Sequence, residues 1–223
     1  MINYFEAIVK RLYKIFLFKK IINFLFINFR SLIWKHRKKI HGINKNELFF
    51  AQYLKKKIRI KKFSLLEIGC GEGNLIKHLS NYFPLSKLVG YDLNDYGIND
   101  AKKNKIKNAK FYIKDINDVK KIRGFDFIVS KASLIYLSET EIQTFIKTLL
   151  MSNFKKCFFL ELGTNNKNCK KTAFFAHNYS NLLKEISRNN KINYNIKVNP
   201  KLKGKWYTKN SQIFPVLVEI SKK

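Results

Sequence analysis

Apolar and polar positions follow two different rhythms along the chain. Between residues 63 and 162, short runs of Leu, Ile, Val and Phe recur at 63–68, 87–91, 111–116, 125–130 and 154–162, separated by more polar stretches with helical spacing such as 74–82. Short buried strands alternating with helices are the βαβ signature of a parallel sheet covered on both faces, so an α/β fold is predicted. A helix over 178–189 and two closing strands, 192–198 and 213–220, complete the pattern.

Residues 2–34 follow the other rhythm. Glu6, Lys10 and Lys14 recur every four residues beside Arg11 and leave Phe5, Ile8, Val9, Leu12, Ile15 and Phe16 opposite, an amphipathic helix. Lys19 and Lys20 fall out of phase with that polar face, which predicts a bend or a second helix. The longest uncharged run, residues 21–29, is nine residues, whereas a membrane-spanning helix needs about 20. The ordered parts of a secretory signal are absent as well, so a cytoplasmic protein is expected.

Composition sharpens this division. The 223 residues include 45 Lys+Arg against 15 Asp+Glu, a net charge of +30. With 46% hydrophobic and 15% aromatic residues the chain has material for a packed core, which excludes a disordered basic tail. The length suits one domain with an appendage. Residues 1–63 hold 17 basic residues against Glu6 and Glu47, so about a quarter of the chain carries half the net charge. The predicted organisation is therefore a basic, aromatic helical extension over 1–40 and a catalytic domain over 41–223. The cluster Lys35-His36-Arg37-Lys38-Lys39 directly follows the aromatic run. Three readings of the extension stay open: a lid on the catalytic domain, a peripheral contact with the anionic inner face of a membrane, or a nucleic-acid contact. Cys70, Cys157 and Cys169 are odd in number and lack metal-ligand spacing, so neither a disulfide framework nor a metal site is expected.

The chemistry concentrates after the first predicted strand. Gly69-Cys70-Gly71-Glu72-Gly73 links that strand to a helix, an arrangement that brings backbone N–H groups and a helix N-terminus to a ligand. Asp92 ends the second strand, where an acid grips a ribose hydroxyl pair. A dinucleotide site and a nucleoside site with a cationic tail both fit such a loop. Glu67 and Glu72 decide against a pyrophosphate, which carboxylates repel, and favour a sulfonium and an amino group.

The run Leu66-Glu67-Ile68-Gly69-Cys70-Gly71-Glu72-Gly73-Asn74 resembles the first motif of the class I S-adenosylmethionine-dependent methyltransferases. Val89-Gly90-Tyr91-Asp92-Leu93-Asn94, Phe111-Tyr112-Ile113-Lys114-Asp115-Ile116 and Phe125-Asp126-Phe127-Ile128-Val129-Ser130 are similar to the next three. The resemblance covers about residues 40–223 and implies a Rossmann-like, seven-stranded, mostly parallel sheet whose last strand runs antiparallel. It implies S-adenosylmethionine as cofactor, held by the loop residues Gly69, Cys70, Gly71 and Gly73, by Glu67 at the methionine end, by Asp92 with Leu93 at the ribose, by Asp115 with Ile116 at the adenine, and by Ser130 beside Lys131 where the fourth strand opens.

Ser130-Lys131-Ala132-Ser133 lacks the Asn- or Asp-Pro-Pro-aromatic run of base N-methylating members, and Cys157 lacks the context of a cytosine-attacking thiol, which leaves methyl transfer to a hydroxyl. That reaction needs a base. His177, in Phe174-Phe175-Ala176-His177-Asn178-Tyr179, is the first candidate and Glu161 the reserve; His78 reads as structural or exposed, and His36 and His41 as phosphate contacts or solvated. A helix-start role for His177, with Asn178 or Ser180 capping, is the plainer alternative. Asp92, Asp95 and Asp100 suit the ribose loop rather than a metal. The expected acceptor is a sugar, a lipid-linked saccharide or a similar small anionic molecule. An RNA methyltransferase using the Lys-rich surface is the alternative, and an inactive methyltransferase fold acting as a membrane adaptor a second.

Overall fold

The computed structural model describes residues 45–116, 122–166, 169–170, 175–200 and 213–222. All of these fall in the compact unit Asn44–Lys223. The readings of residues 1–40 lie outside the described residues.

Five helices and nine strands are described in chain order: α1 (Lys45–Lys57), β1 (Ser64–Ile68), α2 (Asn74–Tyr82), β2 (Lys87–Asp92), α3 (Asp95–Lys103), β3 (Ala109–Ile113), β4 (Phe127–Lys131), α4 (Glu139–Leu150), β5 (Lys156–Gly163), β6 (Cys169–Lys170), β7 (Phe175–Ala176), α5 (Tyr179–Asn189), β8 (Tyr194–Pro200) and β9 (Phe214–Lys222). A 3-10 turn, Leu134–Tyr136, precedes α4. Seven strands form one sheet in the order β3-β2-β1-β4-β5-β9-β8. β1 to β5 are parallel, and β9 is antiparallel to both β5 and β8. The strand order reverses at β1, between β2 and β4, so a crevice opens there outside the carboxyl ends of the strands.

Side-chain alternation along the strands divides the core between the two faces. Leu65, Leu88, Phe127 and Val129 pack with Phe50 and Leu54 of α1, Leu75, Ile76 and Leu79 of α2 and Ile98 of α3. Leu66, Val89 and Ile128 pack instead with Ile142, Phe145, Ile146 and Leu149 of α4 and Leu182, Leu183 and Ile186 of α5. The result is a three-layer sandwich in which every strand of the expected series is present. The helix ends are set by local chemistry. Ser138 and Glu141 form a capping box at the start of α4, and Asn178, not Ser180, caps α5 by accepting the Asn181 N–H at 3.1 Å.

Some boundaries and elements differ from expectation. β3 begins at Ala109 and ends at Ile113, which leaves Asp115 and Ile116 beyond the strand. β4 runs on through Lys131, so that side chain sits on the sheet's carboxyl edge. α1 and the two-residue hairpin β6–β7 were not anticipated: the apolar residues of α1 crowd together at 48–51 and show no helical period, and two-residue strands leave no periodicity.

Candidate active site

The loop after β1 is turned toward β2 by its backbone. Gly69 and Cys70 donate their N–H groups to Tyr91 O at 2.7 and 3.1 Å, and Gly71 donates to Asp92 Oδ2 at 2.7 Å. The three glycines serve different ends. A Cβ on Gly69 would lie 2.1 Å from Ser133 Oγ, and one on Gly73 would lie 2.7 Å from the Phe111 ring, so these two are required by packing. Gly71, at φ +50°, would meet nothing within 4 Å. It borders open space and keeps a bare backbone there.

Asp92 closes this loop from β2. Its second oxygen accepts the Asn94 N–H at 2.8 Å, and burial pushes the carboxyl upward against those backbone hydrogen bonds. Asn94, rather than Asp92, caps α3 by accepting the Gly97 N–H at 3.3 Å. Leu93 is exposed beside it, Ile116 packs against the core, and Asp115 is half-buried.

Glu67 ends its side chain in the interior. Burial raises its pKa well above the usual range, while the Lys131 charge and the Ile76 N–H of α2 favour the ionised form. Its Oε2 has no hydrogen-bond partner. A buried carboxyl oxygen left without a partner is costly in isolation.

At the ends of β4 and β5 a second cluster holds the turn before α4. Glu161 Oε1 accepts from Ser130 Oγ at 2.7 Å, Ser133 N at 3.1 Å and Leu134 N at 3.3 Å. Burial pushes the Glu161 carboxyl up to about 7, although those bonds and Lys131 oppose it. Ser133 Oγ also donates to Gly69 O at 3.0 Å, tying this turn to the glycine loop. His177 Nε2 faces Leu134 O at 3.2 Å, a contact that needs the proton on Nε2 and leaves Nδ1 as the basic atom. Burial lowers the His177 pKa. Its ring stacks on Phe175 and meets Tyr179 edge-on. Glu161 and His177 are both 0% exposed, and Glu161 Oε2, His177 Nδ1 and Tyr179 Oη have no hydrogen-bond partner.

Lys131 lies between these clusters. Its ammonium is 3.0 Å from Glu47 Oε1 on α1, and the two side chains are only 11% and 14% exposed. Sequence reasoning singled out Lys131 but missed Glu47, Ser133 and Tyr179. One signal was available for Glu47, which is one of only two acids among the first 63 residues. Ser130, expected at the cofactor, commits its hydroxyl to Glu161 inside the fold. Among the described residues no group of three or more His, Cys, Asp or Glu is placed to hold a metal, and no helix is long and apolar enough to cross a membrane.

Residues 60–212 match the family model described as a methyltransferase domain. The chain belongs to this methyltransferase family. Among curated proteins it is 31% identical over 117 residues to a malonyl-[acyl-carrier protein] O-methyltransferase of Bacillus anthracis, covering 48% of this chain and 43% of that protein. It is 28% identical over 131 residues to a malonyl-[acyl-carrier protein] O-methyltransferase 2 of Ilyobacter polytropus, covering 54% and 50%. The chain thus spans half or less of the length of these relatives. Among solved structures, magnesium protoporphyrin IX methyltransferase from Synechocystis with bound S-adenosylmethionine matches with a TM-score of 0.66 at 12% identity, over 90% of this chain and 96% of that one. The plantazolicin methyltransferase complexed with S-adenosylhomocysteine matches with a TM-score of 0.56 at 16% identity, over 79% and 82%. The fold is therefore that of the class I methyltransferases, enzymes that use S-adenosylmethionine. The open face of Gly71, the unpaired Glu67 oxygen and the braced Asp92 carboxylate fit that cofactor.

Proposed function

We propose that this methyltransferase acts on an oxygen of a small anionic acceptor. When bound, S-adenosylmethionine supplies an electrophilic methyl group on a sulfonium centre. Gly69, Cys70, Gly71 and Gly73 shape the loop that would hold it, Glu67 offers its unpaired oxygen to the cationic methionine end, and Asp92 with Leu93 would take the ribose. Asp115 and Ile116 border the adenine end. The chain's part in the reaction is positioning, which alone can supply several kcal/mol of a transfer barrier.

The observation that supports the acceptor class is Lys131, a nearly buried cation on the sheet edge beside the glycine loop. Burial strengthens its attraction for an anion. The relatives named as malonyl-[acyl-carrier protein] O-methyltransferases agree with an oxygen acceptor. Within this class, a sugar or lipid-linked saccharide hydroxyl needs a base, and the free Nδ1 of His177 and free Oε2 of Glu161 are the groups chemically able to serve. A carboxylate brings its own electron pair and needs none. Contact of residues 1–40 with an anionic membrane belongs to the same proposal, and equal flotation on anionic liposomes with and without them would remove it.

The test is transfer of labelled methyl from S-adenosylmethionine to a panel of malonyl thioesters, nucleotide sugars and lipid-linked saccharides. Alkali releases the label from an ester and leaves it on an ether. Incorporation into either supports the reading, and a base-labile product favours the carboxylate. A chain that binds the cofactor but labels only nitrogen or carbon would overturn it.

A further inference from the structure

Glu47 and Lys131 form an ion pair that the fold has largely withdrawn from water, at the carboxyl end of β4. Removing one partner of such a pair is costly because the other charge stays buried and uncompensated. Lys131 therefore keeps an anion beside it in every state of the site. The structure shows which anion it holds at rest, a carboxylate oxygen at 3.0 Å.

The two partners are anchored very differently. Lys131 ends β4, and the turn after it is pinned at several points: Ala132 N–H donates to Leu160 O at 3.0 Å, and Ser130 and Ser133 both donate to Glu161. Ala132 adopts φ +51°, a strained conformation for a residue with a Cβ, which the surrounding bonds enforce. Glu47 instead sits in the first turn of α1, followed by the exposed Leu48 and Phe49. The helix is fastened farther along by the buried Phe50, Ala51 and Leu54 and by the contacts of Tyr53 and Lys57 with Glu219. The first turn can yield while the rest of α1 stays packed. A released Glu47 would still be stabilised by the positive end of its own helix.

Resting on the reading of an anionic acceptor above, we propose that Lys131 is the docking point for a carboxylate of the acceptor and that Glu47 is the counter-ion the acceptor displaces. Exchange of one carboxylate for another conserves charge at the ammonium, so no bare charge is buried at any stage. One carboxylate group in contact with the ammonium replaces another, and the second carboxylate of a malonate probe stays outside the pair. Glu67 feels the Lys131 charge but forms no ion pair with it, so Glu47 is the group to be displaced.

The experiment titrates malonate into the full chain saturated with S-adenosylhomocysteine, followed by calorimetry. The wild type should bind malonate weakly, Glu47→Gln about fivefold or more tightly because the internal competitor is gone, and Lys131→Met at least about tenfold less tightly. The double variant Glu47→Gln/Lys131→Met removes both charges of the pair, so it should fold and still fail to bind malonate. Each form should still bind S-adenosylhomocysteine, Glu47→Gln as the wild type does and the Lys131→Met forms more weakly, because Glu67 loses the charge that favours its ionised form. Malonate binding that survives in the double variant, or that Glu47→Gln weakens, overturns the proposal, as does an absence of malonate binding in both wild type and Glu47→Gln. Loss of S-adenosylhomocysteine binding by the wild type is a separate result and would instead strike at the methyltransferase reading.

Discussion

The glycines after β1 carry unequal loads, and single substitutions separate them. Gly69→Ala forces a Cβ onto Ser133 Oγ and should destabilise the fold by about 1–3 kcal/mol. Gly71→Ala meets no neighbour; it should cost only about 1 kcal/mol of backbone strain yet weaken S-adenosylmethionine binding more than Gly69→Ala does in the molecules that remain folded. Denaturant titration and calorimetry read the two effects, and equal losses of stability would contradict the division. Glu161 makes a second residue-scale prediction. Its pKa is raised from 4.5 to about 7 in the fold, so the folded chain holds a proton that the unfolded chain has released. Stability therefore falls as pH rises between roughly 4.5 and 7. His177, lowered by burial, acts oppositely and removes stability as pH falls below the usual histidine range. The difference between wild type and Glu161→Gln isolates the carboxyl: the variant's melting temperature should decline less from pH 5 to pH 8, and parallel profiles would refute the assignment. Glu67, the glycines and Asp92 were legible in the sequence because they are fixed by short spacings next to a strand. The pairing of Lys131 with Glu47 was not, because it joins residues from opposite ends of the domain's first half, and only the fold brings them to 3.0 Å.

Helices and strands were legible to the extent that each carried its own period or stop signal. α2 has the expected ends, since glycine precedes it and an aromatic-proline pair follows. The start of α4 is written in Ser138-Glu139-Thr140-Glu141, and Ser138→Ala should cost about 1 kcal/mol in denaturant titration without touching cofactor affinity; no loss would show that the capping box contributes nothing. α1 was obscured because its apolar residues crowd together at 48–51 instead of recurring at helical spacing, yet Phe50, Ala51 and Leu54 are fully buried. β3 was placed too late because it is an edge strand whose exposed Lys110, Tyr112 and Ile113 blur the apolar run around Phe111. The antiparallel β8–β9 pair followed from resemblance alone, since strand direction leaves no mark on the pattern of side chains.

At the scale of the whole molecule, a net charge of +30 makes self-repulsion a standing load on the folded state. Raising salt from about 0.05 to 0.5 M should screen it and raise the melting temperature by roughly 2–4 °C; a fall on adding salt would show that surface ion pairs outweigh repulsion. The charge itself did not reveal the reaction. The family match shows a methyltransferase, and the parallel sheet places Glu67, Gly71, Asp92 and Lys131 around one reversal of strand order. We propose that the carboxyl ends of β1, β2 and β4 form the S-adenosylmethionine site. Calorimetry with S-adenosylmethionine on the wild type and on Asp92→Ala, both shown to be folded by circular dichroism, tests it most directly. The wild type should bind one molecule per chain, and Asp92→Ala should lose about tenfold or more in affinity. A folded wild type that takes up no S-adenosylmethionine, or an Asp92→Ala variant that binds it equally well, would contradict the account.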